Sequence, residues 1–248
     1  MDFVQAMLLL GVGAASGFIN IIAGGGSSLT LPAMILMGLD STVANGTNRV
    51  AICIQSIVGI AGFHKQEVNR FGESLKFSLV ALPGATLGAL IAVKIDSLWF
   101  QRILGIVMLA ILVSMIIPLP NPVETEPVSV FRKRLSHIVM FGVGFYGGFI
   151  QVGVGFLIMA ILYHGLRLNL VDVNVHKVFI VFMYTLPALA VFIWNDKVNW
   201  LIGLTLAIGS GLGGWVGAHV TVKGGEKAVR RVLMVVLLAM SIKLLDLF

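Results

Sequence analysis

The chain has 248 residues, 58% of them hydrophobic and only 11% charged, with a mean hydropathy of +1.01. Soluble domains carry about 25% charged residues, so this composition excludes a water-solvated globule and makes lipid the solvent for most of the surface. The net charge of +6 in such a chain marks loops held on the cytoplasmic side rather than a nucleic-acid surface, and the single Cys53 excludes an intrachain disulfide.

The apolar segments of the first half run at 4–22, 27–39, 44–63, 73–94 and 98–117. The first is preceded by Asp2 and by no Lys or Arg, so it lacks the basic leader of a cleaved signal and reads as a retained membrane segment. It is broken from the second at Gly24-Gly25-Gly26. Together these two are short for two crossings, which need about 20 apolar residues each. They read as a tight hairpin that dips into the bilayer and returns to the side it left, while the last three segments are long enough to cross. Residues 119–136 hold Pro120, Pro122, Pro127 and the trio Arg132, Lys133 and Arg134, a composition that suits a cytoplasmic linker. The second half repeats the plan at 137–151, 153–165, 175–194, 200–222 and 229–246, with its own glycine break at Gln151-Val152-Gly153.

The repeat extends past the breaks. Asn48-Arg49-Val50 falls on His176-Lys177-Val178, Val68-Asn69 on Val198-Asn199, and Gly84 and Gly88 on Gly213 and Gly217. Small-xxx-small spacing explains the last pairs, and also Gly13 with Gly17, as helix packing. The expected fold is all-α and integral to the membrane, with two inverted repeats of about four to five apolar segments. Residues 1–118 form one repeat, 119–136 the linker and 137–248 the other. With a returning hairpin in each half, one face collects Lys65, Arg70, Lys76, the 132–134 trio, Arg167, Lys177, Lys223, Lys227, Arg230 and Arg231. That face is cytoplasmic by the positive-inside rule, and both termini are extracytoplasmic.

Two half-membrane units with interrupted helices at matching positions are the pattern of a secondary transporter. Backbone groups orphaned at a break are tolerated only against protein or a watery cavity. The restart at Ser27 and Ser28 offers amides, a helix-dipole positive end and hydroxyls, a combination that favours an anion. Asn45, Thr47, Asn48 and Arg49 open the third segment, and Asn174, His176 and Lys177 open its counterpart. Charge near a membrane segment is costly and marks function, although a snorkelling anchor gives the same pattern. No Asp or Glu lies near the middle of an apolar segment, which disfavours a cation substrate. Motifs for zinc proteases, serine hydrolases and ATP-driven pumps are missing, and no nucleophile–base pair supports an enzyme. No cofactor or metal is expected.

The stretch Gly17 to Ser27, Leu31-Pro32 and Ala44-Asn45-Gly46-Thr47-Asn48-Arg49 resembles the TauE/SafE sulfite exporter family, and the segments at 144–155 and 174–177 are similar to its second repeat. The resemblance implies transport of a small anion, sulfite, sulfonate or another organosulfur species, across the bacterial inner membrane. Unlike the first copy, the second lacks the triple glycine, so the half-sites need not contribute equally. The expected substrate site lies between the tips Gly24–Ser28 and Gln151–Gly155. Asn20, Gly24, Gly25, Gly26, Ser27, Ser28, Asn45, Thr47, Asn48, Gln151, Gly153, Gly155 and Asn174 would bind the anion, with Arg49, His176 and Lys177 raising the local potential. A coupling proton or ion and a homo-oligomer are compatible with this reading, and a passive anion channel is the alternative.

Overall fold

The computed structural model describes residues 1–67, 71–116 and 130–245, with side chains described up to residue 224 apart from a few near the ends of α4, α5 and α6. Its elements are α1 (Phe3–Ile22), α2 (Ser27–Leu36), α3 (Ser41–Lys65), α4 (Phe71–Ala92), α5 (Ser97–Ile116), α6 (Val130–Phe149), α7 (Val154–Ala160) with a π-helical turn Ile161–Gly165, α8 (Leu170–Trp194) and α9 (Trp200–Leu245). Among the described residues all regular structure is helical. A membrane explains that choice: a helix satisfies its backbone polar groups within its own segment.

Among the described residues four helical stretches are long and apolar enough to cross a bilayer: Phe3–Ile22, Ser74–Ala92, Leu170–Trp194 and Trp200–Gly224. Two expectations change here. The first concerns the pair 4–22 and 27–39, expected to be short together for two crossings: α1, at 20 residues, is about 30 Å long, the thickness of the hydrocarbon core, so the shortfall lies in the 10-residue α2 alone. The second is that 229–246 forms a separate segment. Its described residues continue α9, a single helix of 46 residues. The Gly224-Gly225 pair weakens a helix by about 1 kcal/mol per glycine but does not forbid one. Helix α6 likewise starts at Val130, taking the basic trio out of the expected linker. The rest of that linker, 119–129, lies outside the described residues.

The two halves exchange helices. Glycines on α1 and α9 bring those helices together: a Cβ on Gly13 or Gly17 would meet the backbone of Leu206 or Ser210, and one on Gly213 would meet that of Ala14. The contacts advance in the same direction along both chains, so the helices run parallel. Helices α4 and α6 repeat this arrangement, with Gly84 against Phe141, Gly88 against Phe145 and Gly148 against Ala85. Each half thus lends its fourth helix to the other half's first.

The buried core follows the exchange. One cluster joins Phe77, Ala81 and Ala85 of α4 to Met140, Ile158, Ile180 and Tyr184, while another joins Leu206 and Ala207 of α9 to Leu9, Leu31, Met34 and Ala51. Outward-facing Phe3, Leu36, Ile138, Trp194 and Leu212 are each more than half exposed. In a chain with lipid as its solvent such a surface is the stable one.

Candidate functional site

The helix breaks meet in the interior. Chain α1 ends at Ala23, after which Gly24 takes φ +85°, and α7 is preceded by Gly153 at φ +70°. L-residues with side chains rarely adopt that left-handed region, which is why glycine stands at both turns; Gln151 adopts it too, at φ +62°. The tips touch backbone to backbone. A Cβ on Gly24 would lie 2.5 Å from the Gly155 Cα, and one on Gly155 would lie 2.2 Å from the Gly24 Cα. Gly25 lies under the Phe156 ring, and Gly26 packs on the Ser16 carbonyl.

The hydroxyls of the first tip are engaged within the protein. Ser28 Oγ donates to the Gly25 carbonyl at 2.6 Å, and the Ser28 and Leu29 amides bond the Gly25 and Gly26 carbonyls. Asn48 Nδ2 donates to Ser27 Oγ at 3.1 Å, and Thr30 Oγ1 donates to Asn48 Oδ1 at 2.6 Å. In this conformation the tip is therefore a closed, self-bonded turn.

Helices α3 and α8 deliver the polar groups. Asp40 caps α3: its Oδ1 accepts from the Thr42 amide at 3.0 Å and the Thr42 hydroxyl at 2.6 Å. Burial alone would raise the Asp40 carboxyl, but bonds from Thr42, Ser97 and two backbone amides outweigh it and hold the group below its ordinary value. Asn169 caps α8 by accepting from the Asp172 amide. Each fixed start aims the following polar turn inward, although an Asn, Arg or Lys there departs from an apolar pattern.

Each cation closes the end of a helix distant from it in sequence. The last carbonyls of a helix have no intrahelical partner. Arg49 of α3 is fully buried and donates through Nη1 to the Gly147 carbonyl at 3.1 Å and through Nη2 to that of Gly148, while Asn45 Nδ2 donates to Phe149 at 2.8 Å. The last three carbonyls of α6 are thereby satisfied. The guanidinium also sits 4.7 Å from the centre of the Phe192 ring, a cation–π contact. In the other direction, Lys177 of α8 donates through Nζ to the Ile21 carbonyl at the end of α1, at 2.7 Å, and to Asn174 Oδ1, with Met159 Sδ at 3.7 Å. Positive charge at a helix C-terminus is also favoured by the dipole.

Several expected residues hold hydrogen-bond partners within the protein. His176 Nδ1 pairs with Ser74 Oγ of α4 at 2.8 Å. Thr47 Oγ1 accepts from the Asn199 amide, tying the α8–α9 loop to the start of α3. Gln151 Nε2 donates to Thr185 Oγ1 at 3.1 Å. Buried polar atoms left without a partner include Asn45 Oδ1, Arg49 Nε, Gln151 Oε1 and Asn174 Nδ2, an unusual concentration in a membrane interior.

Next to the meeting tips is a cavity of about 10 Å3, close to the space one water needs. Asn20, Gln55, Ser56, Gly155 and Lys177 line it, with two valines of α8. The sequence reading brings together Asn20, Gly155 and Lys177 here. It missed Gln55 and Ser56, buried to 2% and 1% exposure. Two adjacent polar residues inside the apolar run 44–63 were the available signal. Among the described residues no Asp or Glu side chain is buried and no cluster of potential metal ligands occurs.

The family model described as sulfite exporter TauE/SafE matches residues 9–244. The chain is 28% identical over 233 residues to the probable membrane transporter protein ORF9 of a Sinorhizobium species, covering 93% of this chain and 88% of that protein. It is also 28% identical over 253 residues to the probable membrane transporter protein YfcA of Escherichia coli K12, covering 98% and 92%, and 23% identical over 273 residues to YunE of Bacillus subtilis, covering 99% and 98%. No solved structure matches the chain. With all but the first few and last few residues inside the family match, the chain belongs to the TauE/SafE sulfite exporter family of membrane proteins.

Proposed function

We propose that the protein is a secondary carrier of a small anion, sulfite, sulfonate or another organosulfur oxyanion, working by alternating access between two inverted repeats in the bacterial inner membrane. The observation that carries this reading is the pair of buried cations, Arg49 and Lys177, beside the meeting tips, with no buried carboxylate among the described residues. Burying a charge costs several kcal/mol unless it is compensated, and helix-end carbonyls compensate only in part. A transiting anion at the tips adds to that compensation.

Inversion is supported by the packing. Helix α1 runs parallel to α9 and α6 parallel to α4. The start of α9 follows a loop tied to the start of α3, and the start of α4 stacks near that of α6 through Phe77 and His137, 4.9 Å apart. Helices α1 and α6 then enter from opposite faces. Trp99, Trp194 and Trp200, all exposed, fall on the face opposite most Lys and Arg, as an interfacial aromatic belt there would. This face is extracytoplasmic in our reading, as is the N-terminus.

The closed contact between Gly24 and Gly155 is the occluding element. Moving one half against the other parts the tips and opens the cavity to one side at a time. Relatives carrying only the words "probable membrane transporter" fit this class without naming a substrate. The test is uptake into proteoliposomes of sulfite, thiosulfate, methanesulfonate and acetate. Saturable uptake of at least one sulfur oxyanion is expected, at no less than ten times the rate of protein-free vesicles. Background rates for the whole panel would overturn the proposal.

A further inference from the structure

We infer that each chain holds one anion site, on the Lys177 side of the tips, and that Tyr184 plugs its mirror image on the Arg49 side. This rests on the carrier reading above and says which half of the pseudo-symmetric interior receives the oxyanion.

The mirror positions follow from helix length. Helices α1 and α6 have 20 residues each, and α3 and α8 have 25 each. Counted from the helix starts, Asn20 corresponds to Gly147, Gln55 to Tyr184 and Ser56 to Thr185. Around Lys177, Asn20, Gln55 and Ser56 leave a cavity. Around Arg49, a tyrosine ring takes the place of Gln55. Tyr184 is fully buried, and a Cβ on Gly147 would lie 3.0 Å from its Cζ and 3.1 Å from its hydroxyl. The glycine at 147 makes room for the ring, whereas the equivalent Asn20 offers an amide to the cavity and keeps part of its surface exposed.

The two cations differ in the same sense. Counted in this register, Lys177 lies level with Asn48 and Arg49 with Val178, one step off the pairing drawn from sequence. Arg49 is enclosed by the carbonyls of Gly147 and Gly148 and the face of Phe192. Lys177 bonds one helix carbonyl and Asn174, spends its third donor on the weak acceptor Met159 Sδ at 3.7 Å, and lines the cavity. An ammonium has three donors directed at the corners of a tetrahedron. Beside it stand an amide from Asn20, an amide from Gln55 and the Ser56 hydroxyl, the donor set for the oxygens of a small oxyanion head group. Val178 and Val181 close the wall with apolar surface. The site therefore reads a negative head of several oxygens. A cavity the size of one water needs the tips to part before such a head enters.

The experiment measures the concentration dependence of sulfite, methanesulfonate and acetate uptake in proteoliposomes at matched protein levels. Gln55→Tyr, which copies the plug into the open side, is expected to remove saturable uptake. Gln55→Leu, which keeps the volume and removes the amide, is expected to raise half-saturation at least ten-fold and decides the matter where Gln55→Tyr does not elute as a single species in detergent. Tyr184→Phe, which keeps the plug, should leave half-saturation within two-fold. Unchanged half-saturation in Gln55→Leu, or a ten-fold rise in Tyr184→Phe, overturns the one-sided site while leaving the carrier reading intact. Background uptake of all three anions by the wild-type protein overturns the carrier reading itself.

Discussion

Gly24→Val is expected to reduce transport to background. Two costs act at this position. Its φ of +85° is one that a β-branched residue reaches only under strain, worth about 1–2 kcal/mol. The new Cβ would also stand 2.5 Å from Gly155 carbon atoms, where normal contacts begin about 1 Å farther out. The obstacle is backbone, so no rotamer change relieves it. The tips would be held apart, and the occluded state would lose the contact that closes it. The neighbouring Gly25→Val should be milder, because its Cβ meets only the Phe156 ring, which can turn aside. Sulfite uptake by both variants at equal reconstitution checks this. Wild-type rates for Gly24→Val would remove the tip contact from the transport cycle.

Arg49→Met is expected to lower thermal stability in detergent more than Lys177→Met does. Arg49 supplies two of the donors that close the end of α6. Its loss leaves two carbonyls orphaned in a buried site, at about 1–3 kcal/mol each, and methionine restores volume but no donor. For Lys177 the lost helix bond is one, to Ile21, and the neighbouring cavity can admit water to the freed carbonyl. Uptake should separate the two residues in the opposite sense. Residual uptake by Arg49→Lys should keep its half-saturation, whereas Lys177→Gln should weaken it about ten-fold, equal to about 1.4 kcal/mol of binding. Melting curves and uptake isotherms on the same preparations measure both. A larger melting loss for Lys177→Met, with half-saturation rising only in the Arg49 variant, would reverse the assignment of roles.

The elements of this fold are largely written in local sequence. The breaks at Gly24–Gly26 and Gln151–Gly153, the glycine pairs that seat α1 on α9 and α4 on α6, and the polar turns opening α3 and α8 were all readable. Each is a local departure from an otherwise uniform apolar pattern. Continuity of α9 was not readable, because two glycines and a charge at 224–226 are compatible with either a loop or a weakened helix. The partners of Arg49 and Lys177 were hidden for a different reason. A cation near a membrane segment signals a need for compensation but not its source, and here the source is the end of a helix distant in sequence. Gln55, Ser56 and Tyr184 acquire meaning only once equal helix lengths set them at mirror positions. Their asymmetry is tertiary, and no single-segment periodicity contains it.

If an anion crosses by alternating exposure of one site between two moving halves, counterflow reveals it. Proteoliposomes loaded with unlabelled sulfite and diluted into trace labelled sulfite should accumulate label transiently above equilibrium, and the effect should saturate with internal sulfite. A carrier must return its site, and the loaded return sustains exchange after the gradient for net flow is spent. Labelled sulfite that only equilibrates, at a rate rising linearly with concentration and indifferent to internal sulfite, would contradict a carrier and indicate a continuous pore between the same helices.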